Sequence, residues 1–419
     1  MAQAAARSKR ETKQQGKKRS DFWAVGKIDL PFFLLVIIIL TLGLVMLFSA
    51  SYTYAYYNCG GDSAYFFKRQ LLWSLIGVAA MLLVSKVRYD YFKLFSIPAL
   101  LLAGGLLVLV LILPPMVASK PDFQRWIVIG PLQFQPSEIA KMAIILFCAW
   151  SMDKNHKKIT GKMLNQGKLS RWVKSISNGK IVVYESFLML CLYAVIIAAT
   201  ALLVYKENHL SGAVLILAIG VVMMFLGEVK QHWFILIAIV GVAAVIFFIL
   251  NPEILEKYAG ERITAWLDKS FEPRGARWQT NNSLYAIGSG GLFGTGLGNS
   301  KQKHLYVSEP QNDFIFAIVC EEMGFIRSVG IILLYVILVL RGVKIGLHAK
   351  DRFGALLSMG IVFQVGMQTA LNLAVVTDAM PNTGISLPFF SYGGSSLVML
   401  LFEMGVVLSV SRYSSLEKN

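Results

Sequence analysis

Residues 251–313 read NPEILEKYAGERITAWLDKSFEPRGARWQTNNSLYAIGSGGLFGTGLGNSKQKHLYVSEPQND. This is the longest polar interruption in a chain whose residues are 56% hydrophobic and 15% charged. An apolar run of membrane-span length stands on either side of it. A soluble protein of 419 residues with a mean hydropathy of +0.60 cannot keep so much apolar surface from water. The composition therefore predicts an integral membrane protein with one large polar loop.

The apolar runs divide the chain into helices. A helix needs about 20 apolar residues to cross about 30 Å of hydrocarbon, and such runs begin near residues 30, 68, 92, 137, 183, 210, 231, 313, 354 and 391. We therefore predict an all-α polytopic membrane protein with about ten transmembrane helices and the large loop between spans seven and eight. The first run is longer than the usual core of a cleavable signal, so we expect a retained anchor.

The basic residues predict the topology. Lys and Arg total 40 against 24 for Asp and Glu, a net charge of +16, which in a membrane protein favours cytoplasmic loops and anionic lipids as the cause rather than nucleic acid. Basic residues concentrate in the N-terminal tail, at 86–88, in 153–180 and at 341–352. The loops that alternate with these are poor in Lys and Arg. Both termini are thus predicted to be cytoplasmic and the large loop extracytoplasmic, where a reaction cannot draw on ATP.

We divide the chain into three parts. Residues 1–24 are predicted to be a disordered basic cytoplasmic tail, 25–413 one transmembrane domain with its extracytoplasmic segment at 251–312, and 414–419 a cytoplasmic tail. Apolar residues from Ile254 to Leu267 recur at helical spacing, which predicts a helix lying in the membrane interface. The four cysteines show no metal-ligand spacing and are predicted to be packing residues.

The first candidate motif is RWIVIGPLQFQPSEIAK, residues 125–141. Pro136 and Ser137 are typical of a helix start, and Glu138 and Lys141 then lie on one face of that helix. Ionisable groups inside a span usually line a cavity or pair with each other. Both interpretations stay open, a functional cavity and a simple ion pair at the interface with Trp126 as an aromatic belt residue.

Two further stretches carry weaker signals. The glycines of 288–298, followed by Lys301 and Lys303, suit either close backbone approach to a phosphate or a flexible loop. The spacing matches no nucleotide-binding motif. The polar turn 206–209 contains a lone His, and we predict a structural role for it.

Asp313 precedes the apolar run that follows the large loop. It has the position of a helix N-cap, where the helix dipole favours an ionised carboxylate. A carboxylate held at the outer end of a span is also suited to act as a general base. Glu321 and Glu322 lie deeper and are predicted to pair with Lys or Arg from another span.

The last candidate motif is PNTGISLPFFSYGGSS, residues 381–396. Its prolines, glycines and hydroxyls predict a re-entrant loop tucked into the outer face before the final span. Close packing of small residues between helices is the alternative.

Together these stretches resemble the shape, elongation, division and sporulation (SEDS) family, the FtsW/RodA/SpoVE group. The residues that carry the resemblance are RWIVIGPLQFQPSEIAK (125–141), NNSLYAIGSGGLFGTGLGNSKQK (281–303), EPQNDFIFAIVCEEMGF (309–325) and PNTGISLPFFSYGGSS (381–396). The long basic N-terminal tail favours an FtsW-like member of the family. The sequence departs from the family at Gln311 and Asn312, where many relatives have His-Thr, and at 206–211, which replaces the usual Gln-Pro-Asp-Leu-Gly.

The resemblance implies a peptidoglycan glycosyltransferase that polymerises lipid II at the outer face of the bacterial cytoplasmic membrane, with a class B penicillin-binding protein and other division or elongation proteins as partners. The family's essential aspartate falls on Asp313. Its functional arginine, tryptophan, glutamate and lysine fall on Arg125, Trp126, Glu138 and Lys141. The other candidate substrate-binding residues are Ser289, Lys303, Thr383, Ser391 and Ser395.

The expected mechanism has Asp313 accept a proton from the acceptor sugar while cationic side chains neutralise the departing pyrophosphate. We expect no dedicated metal cage, and a divalent cation such as Mg²⁺ or Mn²⁺ is the alternative source of positive charge. Two other function classes stay open. A lipid II flippase would tolerate Asn at position 313, and a non-catalytic divisome scaffold would need neither Asp313 nor Arg125.

Overall fold

The computed structural model describes residues 22–24, 26–113, 125–129, 132–160, 185–230, 234–235, 238–239, 241, 243, 261–269, 275 and 277–415. The helices are α1 (Leu30–Asn58), α2 (Tyr65–Lys86), α3 (Phe92–Ile112), α4 (Pro136–Lys154), α5 (His156–Ile159), α6 (Glu185–Lys206), α7 (Leu210–Leu226), α8 (Glu261–Leu267), α9 (Trp278–Gly290), α10 (Ile315–Leu347), α11 (Arg352–Val376) and α12 (Gly394–Ser411). A 3-10 turn at Tyr89–Tyr91 precedes α3. Two short antiparallel strands, β1 (Ile127–Ile129) and β2 (Leu132–Phe134), precede α4.

Most of these helices suit a membrane. Within the described residues, seven are long and apolar enough to cross one, namely α1, α2, α3 with its preceding turn, α6, α10, α11 and α12. The prediction of an all-α polytopic membrane protein is confirmed. The run predicted to begin near 231 lies mostly outside the described residues, and α7 has only 17 residues. The count of ten spans and the cytoplasmic placement of the termini stay predictions.

Helix starts follow from local chemistry. Asp29 caps α1, because its Oδ1 accepts the Phe32 N–H at 2.9 Å, and Pro31 follows in the first turn. Arg341 of α10 also binds the Asp29 carboxylate, with its Nη2 2.7 Å from Oδ2. One side chain therefore caps α1 and joins it to α10.

The core lies around α11 and α12. In the most apolar 18 residues of each helix, the buried share is 56% for α11 and 67% for α12 but 22% for α2 and α3. The helices α11 and α12 are therefore central, and α2 and α3 are peripheral. α12 packs closely on α2, because Gly405 leaves room for the backbone of Met81 and Gly77 leaves room for Leu401. The loops at the two ends of α11 and α12 are thus fixed by well-buried helices.

The predicted boundaries of the tails are corrected at both ends. Trp23 pairs with Val87 as an isolated β-bridge, and the Arg88 N–H donates to the Phe22 carbonyl at 3.0 Å. Residues 22–24 therefore belong to the folded unit and not to the N-terminal tail. Likewise the Ser415 N–H donates to the His348 carbonyl at 3.1 Å, inside the predicted second tail. Residues 1–21 and 416–419 lie outside the described residues.

The predicted interfacial helix is described only in its last part, α8, because residues 254–260 lie outside the described residues. The indole of Trp266 in α8 donates to the Asp378 carbonyl at 3.0 Å. Arg277 forms a buried ion pair with the Asp378 carboxylate at 2.8 Å. These contacts bind α8 and the start of α9 to the loop that follows α11, whereas a position in the membrane interface stays a prediction.

The glycine-rich segment, residues 288–303, packs against a break in α10. At Gly324 the backbone leaves the helical conformation (φ 77°, ψ 175°), and the hydrogen bonds of the helix are interrupted. The Thr295 and Gly296 N–H groups donate to the Glu321 and Glu322 carbonyls at 2.9 and 3.0 Å, and the Phe325 N–H donates to the Gly291 carbonyl at 2.9 Å. Backbone from outside the helix thus supplies the missing partners, as an apolar environment requires.

The carboxylates of Glu321 and Glu322 anchor the same segment from the other side. Glu321 accepts the Lys301 and Gln302 N–H groups at 2.9 and 3.3 Å. Glu322 forms a buried ion pair with Lys303 at 2.9 Å. The expected cationic partner is present, but it comes from the glycine-rich segment and not from another span. This segment is held at several points by α10, so the interpretation as a flexible loop is wrong, and the approach of its backbone to a phosphate stays a prediction.

The break at Gly324 gives the first testable prediction. An added Cβ at this position would lie 2.2 Å from the Gly294 nitrogen, in a backbone region that is essentially restricted to glycine. We expect Gly324→Ala to lower the free energy of unfolding by about 1–3 kcal/mol or more. The measurement is the thermal unfolding midpoint in detergent. Gly330→Ala in the same helix is the control, because nothing lies within 4 Å of its added Cβ. Equal midpoints for the two variants would contradict the account.

Candidate active site

A cavity of about 810 Å³ opens at the end of the bundle where α4 and α7 begin. Its walls come from the end of α1, the start of α2, the β1–β2 hairpin, the starts of α4 and α7, the segment before α10 and the loop between α11 and α12. The predicted site residues that line it are Arg125, Trp126, Glu138, Lys141, Asp313, Thr383 and Ser391. Three of the predicted motifs, which are far apart in sequence, therefore meet in one cavity.

Lys141 lies at the inner end of the cavity. Its ammonium is 2.9 Å from Glu138 Oε2 and donates to Gln368 Oε1 of α11 at 3.2 Å. Pro136 starts α4 and fixes this pair one turn apart on the same helix. The two residues therefore form an intrahelical ion pair and also line the cavity, whereas the functional role of the cavity stays a prediction.

Arg125 is held by the turn between α6 and α7. Its Nε donates to the Glu207 carbonyl at 3.3 Å, and its Nη2 donates to the Asn208 carbonyl. Asn208 adopts a left-handed conformation (φ 57°), which Asn tolerates better than most residues. This turn was predicted to be structural, and its structural role is to position a cationic side chain at the cavity wall.

The side chains of the same turn are buried beside Arg125. Burial raises the pKa of Glu207 to about 8, although the positive charge of Arg125 opposes this. Burial, helped by the charges of Arg125 and Lys141, lowers the pKa of His209 to about 3. At neutral pH the carboxyl therefore holds a proton and the imidazole is uncharged. Gln135 Nε2 lies 3.1 Å from Nδ1 of His209, which fits an imidazole that accepts at Nδ1.

Asp313 lies two residues before α10. The N-cap of α10 is Phe314, so the prediction that Asp313 caps the helix is wrong. The backbone carbonyl of Asp313 accepts from Asn372 Nδ2 at 2.7 Å. Its Oδ2 would lie 3.2 Å from a Cβ on Gly384, which places the carboxylate against the glycine backbone of the α11–α12 loop. Gly384 leaves room for the carboxylate at the cavity wall.

The loop between α11 and α12 packs against the segment before α10. Ser391 Oγ donates to the Asn312 carbonyl at 2.9 Å, and the Tyr392 N–H donates to the Gln311 carbonyl at 2.8 Å. Thr383 Oγ1 is buried at the cavity wall and has no hydrogen-bond partner among the described residues. Ser391 thus fixes the loop beside Asp313, whereas the Thr383 hydroxyl is buried without a hydrogen-bond partner among the described residues.

Three predicted substrate-binding residues are not brought into the cavity. Ser289 lies in α9 and donates to the Ala286 carbonyl at 3.0 Å. Lys303 is committed to its buried ion pair with Glu322, away from the cavity. Ser395 is not part of the lining, although its neighbour Ser396 is. We leave these three out of the proposed site.

The cavity also contains residues that sequence reasoning missed. Arg69 of α2 supplies another cationic group, with its guanidinium 4.4 Å above the ring centre of Tyr65. Gln364 and Gln368 of α11 contribute amides, and His209 contributes an imidazole. The pair Lys68-Arg69 at the start of an apolar run was a usable signal, but a basic residue there is usually an interface anchor.

Metal binding is poorly supported by the donor set. The described residues contain no group of three or more His, Cys, Asp and Glu side chains with metal-binding geometry. Glu138 in the cavity is already paired with Lys141. The cavity residues therefore do not fit a resident divalent cation.

Comparison with known proteins places the chain in a family. The family model described as "Cell cycle protein", which covers FtsW, RodA and SpoVE, matches residues 30–416. The chain belongs to the FtsW/RodA/SpoVE family. The predicted resemblance is confirmed, and it spans nearly the whole chain after the basic tail.

Relatives match over almost their full length. Stage V sporulation protein E of Bacillus subtilis is 37% identical over 386 residues, covering 92% of this chain and 97% of the relative. The probable peptidoglycan glycosyltransferase FtsW of Trichlorobacter lovleyi is 34% identical over 387 residues, covering 92% of this chain and 94% of the relative.

Solved structures share the fold. The rod shape determining protein RodA of Thermus thermophilus is 26% identical, with a TM-score of 0.62, covering 92% of this chain and 98% of that chain. A chain from a peptidoglycan synthase complex that coordinates polymerization and crosslinking has a TM-score of 0.68 at 24% identity, covering 92% and 98%.

The buried turn beside Arg125 gives the second testable prediction. Because the folded protein raises the pKa of Glu207 from 4.5 to about 8, it holds a proton that the unfolded chain releases. The stability that Glu207 contributes is therefore fully present below about pH 4.5 and is lost as the pH rises to about 8. Between about pH 6.5 and pH 9 we expect the thermal unfolding midpoint of Glu207→Gln to fall less than that of the wild type. This range lies above the ordinary pKa of His, so that the titration of His residues contributes little to the difference.

Glu228→Gln is the matched control, because Glu228 is an exposed carboxylate at the other end of α7 and its replacement should leave the wild-type pH dependence unchanged. Identical pH dependence of the midpoint in wild type and Glu207→Gln would contradict the buried, protonated carboxyl.

Proposed function

We propose that the cavity is the active site of a peptidoglycan glycosyltransferase that polymerises lipid II, with Asp313 as the general base. The observation that carries the proposal is the position of the Asp313 carboxylate in a cavity that also holds Arg69, Arg125 and Lys141. The activity itself is the one that the names of the FtsW relatives carry. The site therefore combines a carboxylate with cations, as transfer from a sugar pyrophosphate requires.

The chemical step needs no outside energy source. In lipid II the donor sugar is already joined through its anomeric carbon to a polyprenyl pyrophosphate. The hydroxyl oxygen of the acceptor sugar forms a bond to that carbon, and the bond from the carbon to the phosphate oxygen breaks with inversion. The electron pair leaves with the pyrophosphate, and Asp313 takes the hydroxyl proton. Positioned general-base assistance typically contributes about 10²–10⁴ to the rate.

The cationic residues have separable roles. Arg125 is tied by two backbone carbonyls at the cavity wall, so its charge is held in place before the substrate binds. The charge of Lys141 is largely offset by Glu138, so Lys141 acts mainly as a hydrogen-bond donor at the inner end of the cavity. Arg125 and Arg69 are therefore the proposed pyrophosphate ligands. The proposed mechanism uses no divalent cation.

The cellular setting completes the proposal. The chain is a multi-pass membrane protein, and we place it in the bacterial cytoplasmic membrane with the cavity facing outward, where lipid II is consumed. A class B penicillin-binding protein is the proposed partner, because a glycan strand must also be crosslinked.

Asp313→Asn gives the third testable prediction. The substitution keeps the size of the side chain and leaves the bond from Asn372 to the backbone carbonyl intact, but it removes the proton acceptor. We expect the rate of glycan polymerisation to fall by about 10²–10⁴. The measurement uses labelled lipid II and the purified protein, with and without its transpeptidase partner.

Asp62→Asn is the control, because Asp62 is a half-exposed carboxylate paired with Lys68 outside the cavity, and it should keep the wild-type rate. Polymer formation by Asp313→Asn at the wild-type rate would refute the general base. If the same variant still moved lipid II across a vesicle membrane and the wild type made no polymer, a flippase would replace the enzyme.

A further inference from the structure

Glu403 is a buried carboxyl group that the proposed mechanism does not use. It lies in the interior of α12 with 1% of its surface exposed. Gln364 of α11 lies beside it, 2% exposed, and donates from Nε2 to Glu403 Oε2 at 2.9 Å. Gln364 also lines the cavity, and Leu400 of the cavity wall lies one turn before Glu403. The carboxyl group therefore lies just beyond the inner end of the site.

The hydrogen bonds of this pair are incomplete. Oε1 of Glu403 and Oε1 of Gln364 are both buried, and neither has a partner among the described residues. An ionised carboxylate offers only acceptors, so it cannot satisfy the amide oxygen. A protonated carboxyl group carries one O–H donor and keeps one acceptor. A proton on Glu403 is thus the simplest source of the missing donor, and it allows acid and amide to pair at two points.

The charges near Glu403 lead to the same conclusion. The charged groups that act on Glu403 within the described part of the chain are Lys141 and Glu138, both on α4. They already form an ion pair at 2.9 Å. An ionised Glu403 would add a second negative charge to one positive charge inside a membrane span, and an uncompensated buried charge is strongly unfavourable.

The position of Gln364 connects Glu403 to the active site. Gln364, Gln368 and Asn372 recur every four residues and so form one stripe along α11. Gln368 accepts from Lys141 at 3.2 Å, and Asn372 donates to the Asp313 carbonyl at 2.7 Å. An anchor at Gln364 therefore fixes the rotation of α11 about its axis and, with it, the two amides that hold Lys141 and Asp313.

We propose that Glu403 is a protonated positioning residue that pairs with Gln364 and keeps the amide stripe of α11 aligned with Lys141 and Asp313. Its role in positioning rests on the proposed glycosyltransferase function. Its protonation does not, because it follows from the contacts within the protein alone. The two parts are tested by separate measurements.

The first measurement is infrared spectroscopy of the purified protein in detergent at neutral pH, without substrate. We expect the wild type to show a stronger carbonyl band from protonated carboxylic acids than Glu403→Gln, which keeps only the contribution of other protonated carboxyl groups such as Glu207. Asp62→Asn should leave this band unchanged, since Asp62 is half-exposed and paired with Lys68. Identical spectra for wild type and Glu403→Gln in this region would overturn the protonation.

The second measurement is the rate of lipid II polymerisation. Glutamine also offers one donor and one acceptor, so Glu403→Gln should keep the rate within about threefold, whereas Glu403→Leu leaves the amide of Gln364 unpaired and should lower kcat about tenfold. The double variant Gln364→Leu with Glu403→Leu removes both partners and leaves no polar group unpaired. Compared with Glu403→Leu alone, it should regain the wild-type thermal unfolding midpoint but not the wild-type kcat.

Each result decides the proposal. Equal losses in Glu403→Gln and Glu403→Leu would show that the negative charge is required and would overturn the neutral pair. A wild-type kcat in Glu403→Leu, or recovery of kcat in the double variant, would overturn the positioning role. If the wild type itself makes no polymer, the glycosyltransferase proposal and the positioning role that rests on it both fail, while the infrared result still decides whether Glu403 holds a proton.

Discussion

The ion pair between Glu138 and Lys141 is the interaction around which the site is arranged. Both charges lie at the start of a helix inside a largely apolar bundle, where neither would be tolerated alone. Pro136 begins α4 and places the two residues one turn apart, and Gln368 supplies a further acceptor to the ammonium. The need to satisfy Lys141 therefore brings α4 and α11 together with their polar faces toward one cavity.

A second constraint comes from the backbone. α10 is broken at Gly324, and the unpaired carbonyls and N–H groups are satisfied by the glycine-rich segment that leads into the residues before Asp313. The buried carboxylates of Glu321 and Glu322 hold the same segment. The Asp313 carboxylate is thus carried by a segment that is fixed at several points, which suits the general base proposed above, because such a base must be positioned before the reaction.

The sequence predicts the helices well where local chemistry determines them. Asp29 with Pro31 marks the start of α1, and Pro136 marks the start of α4, because a side-chain cap or a fixed φ angle acts within one turn. Three of the four motifs that carry the family resemblance also line the cavity. Long-range pairing is not visible in the same way. Nothing local indicates that Lys303 pairs with Glu322, a residue 19 positions away, and so does not line the cavity.

The turn at 206–209 shows the same limit for the site. Its backbone carbonyls hold Arg125, a residue more than 80 positions earlier in the chain, and this contact depends on how α6 and α7 pack. Asp313 was correctly predicted to lie at the end of a span but wrongly predicted to cap it, because the turn at Phe314 intervenes. Contacts set by tertiary packing thus account for the errors, while composition, helix periodicity and motif order account for the successes.

The most direct test of the central claim is a structure of the protein bound to a non-reactive lipid-linked disaccharide analogue and an acceptor. The account predicts the acceptor hydroxyl within about 2.6–3.2 Å of the Asp313 carboxylate, with the pyrophosphate beside Arg69 and Arg125. An acceptor bound away from Asp313, or a pyrophosphate bound outside this cavity, would contradict it.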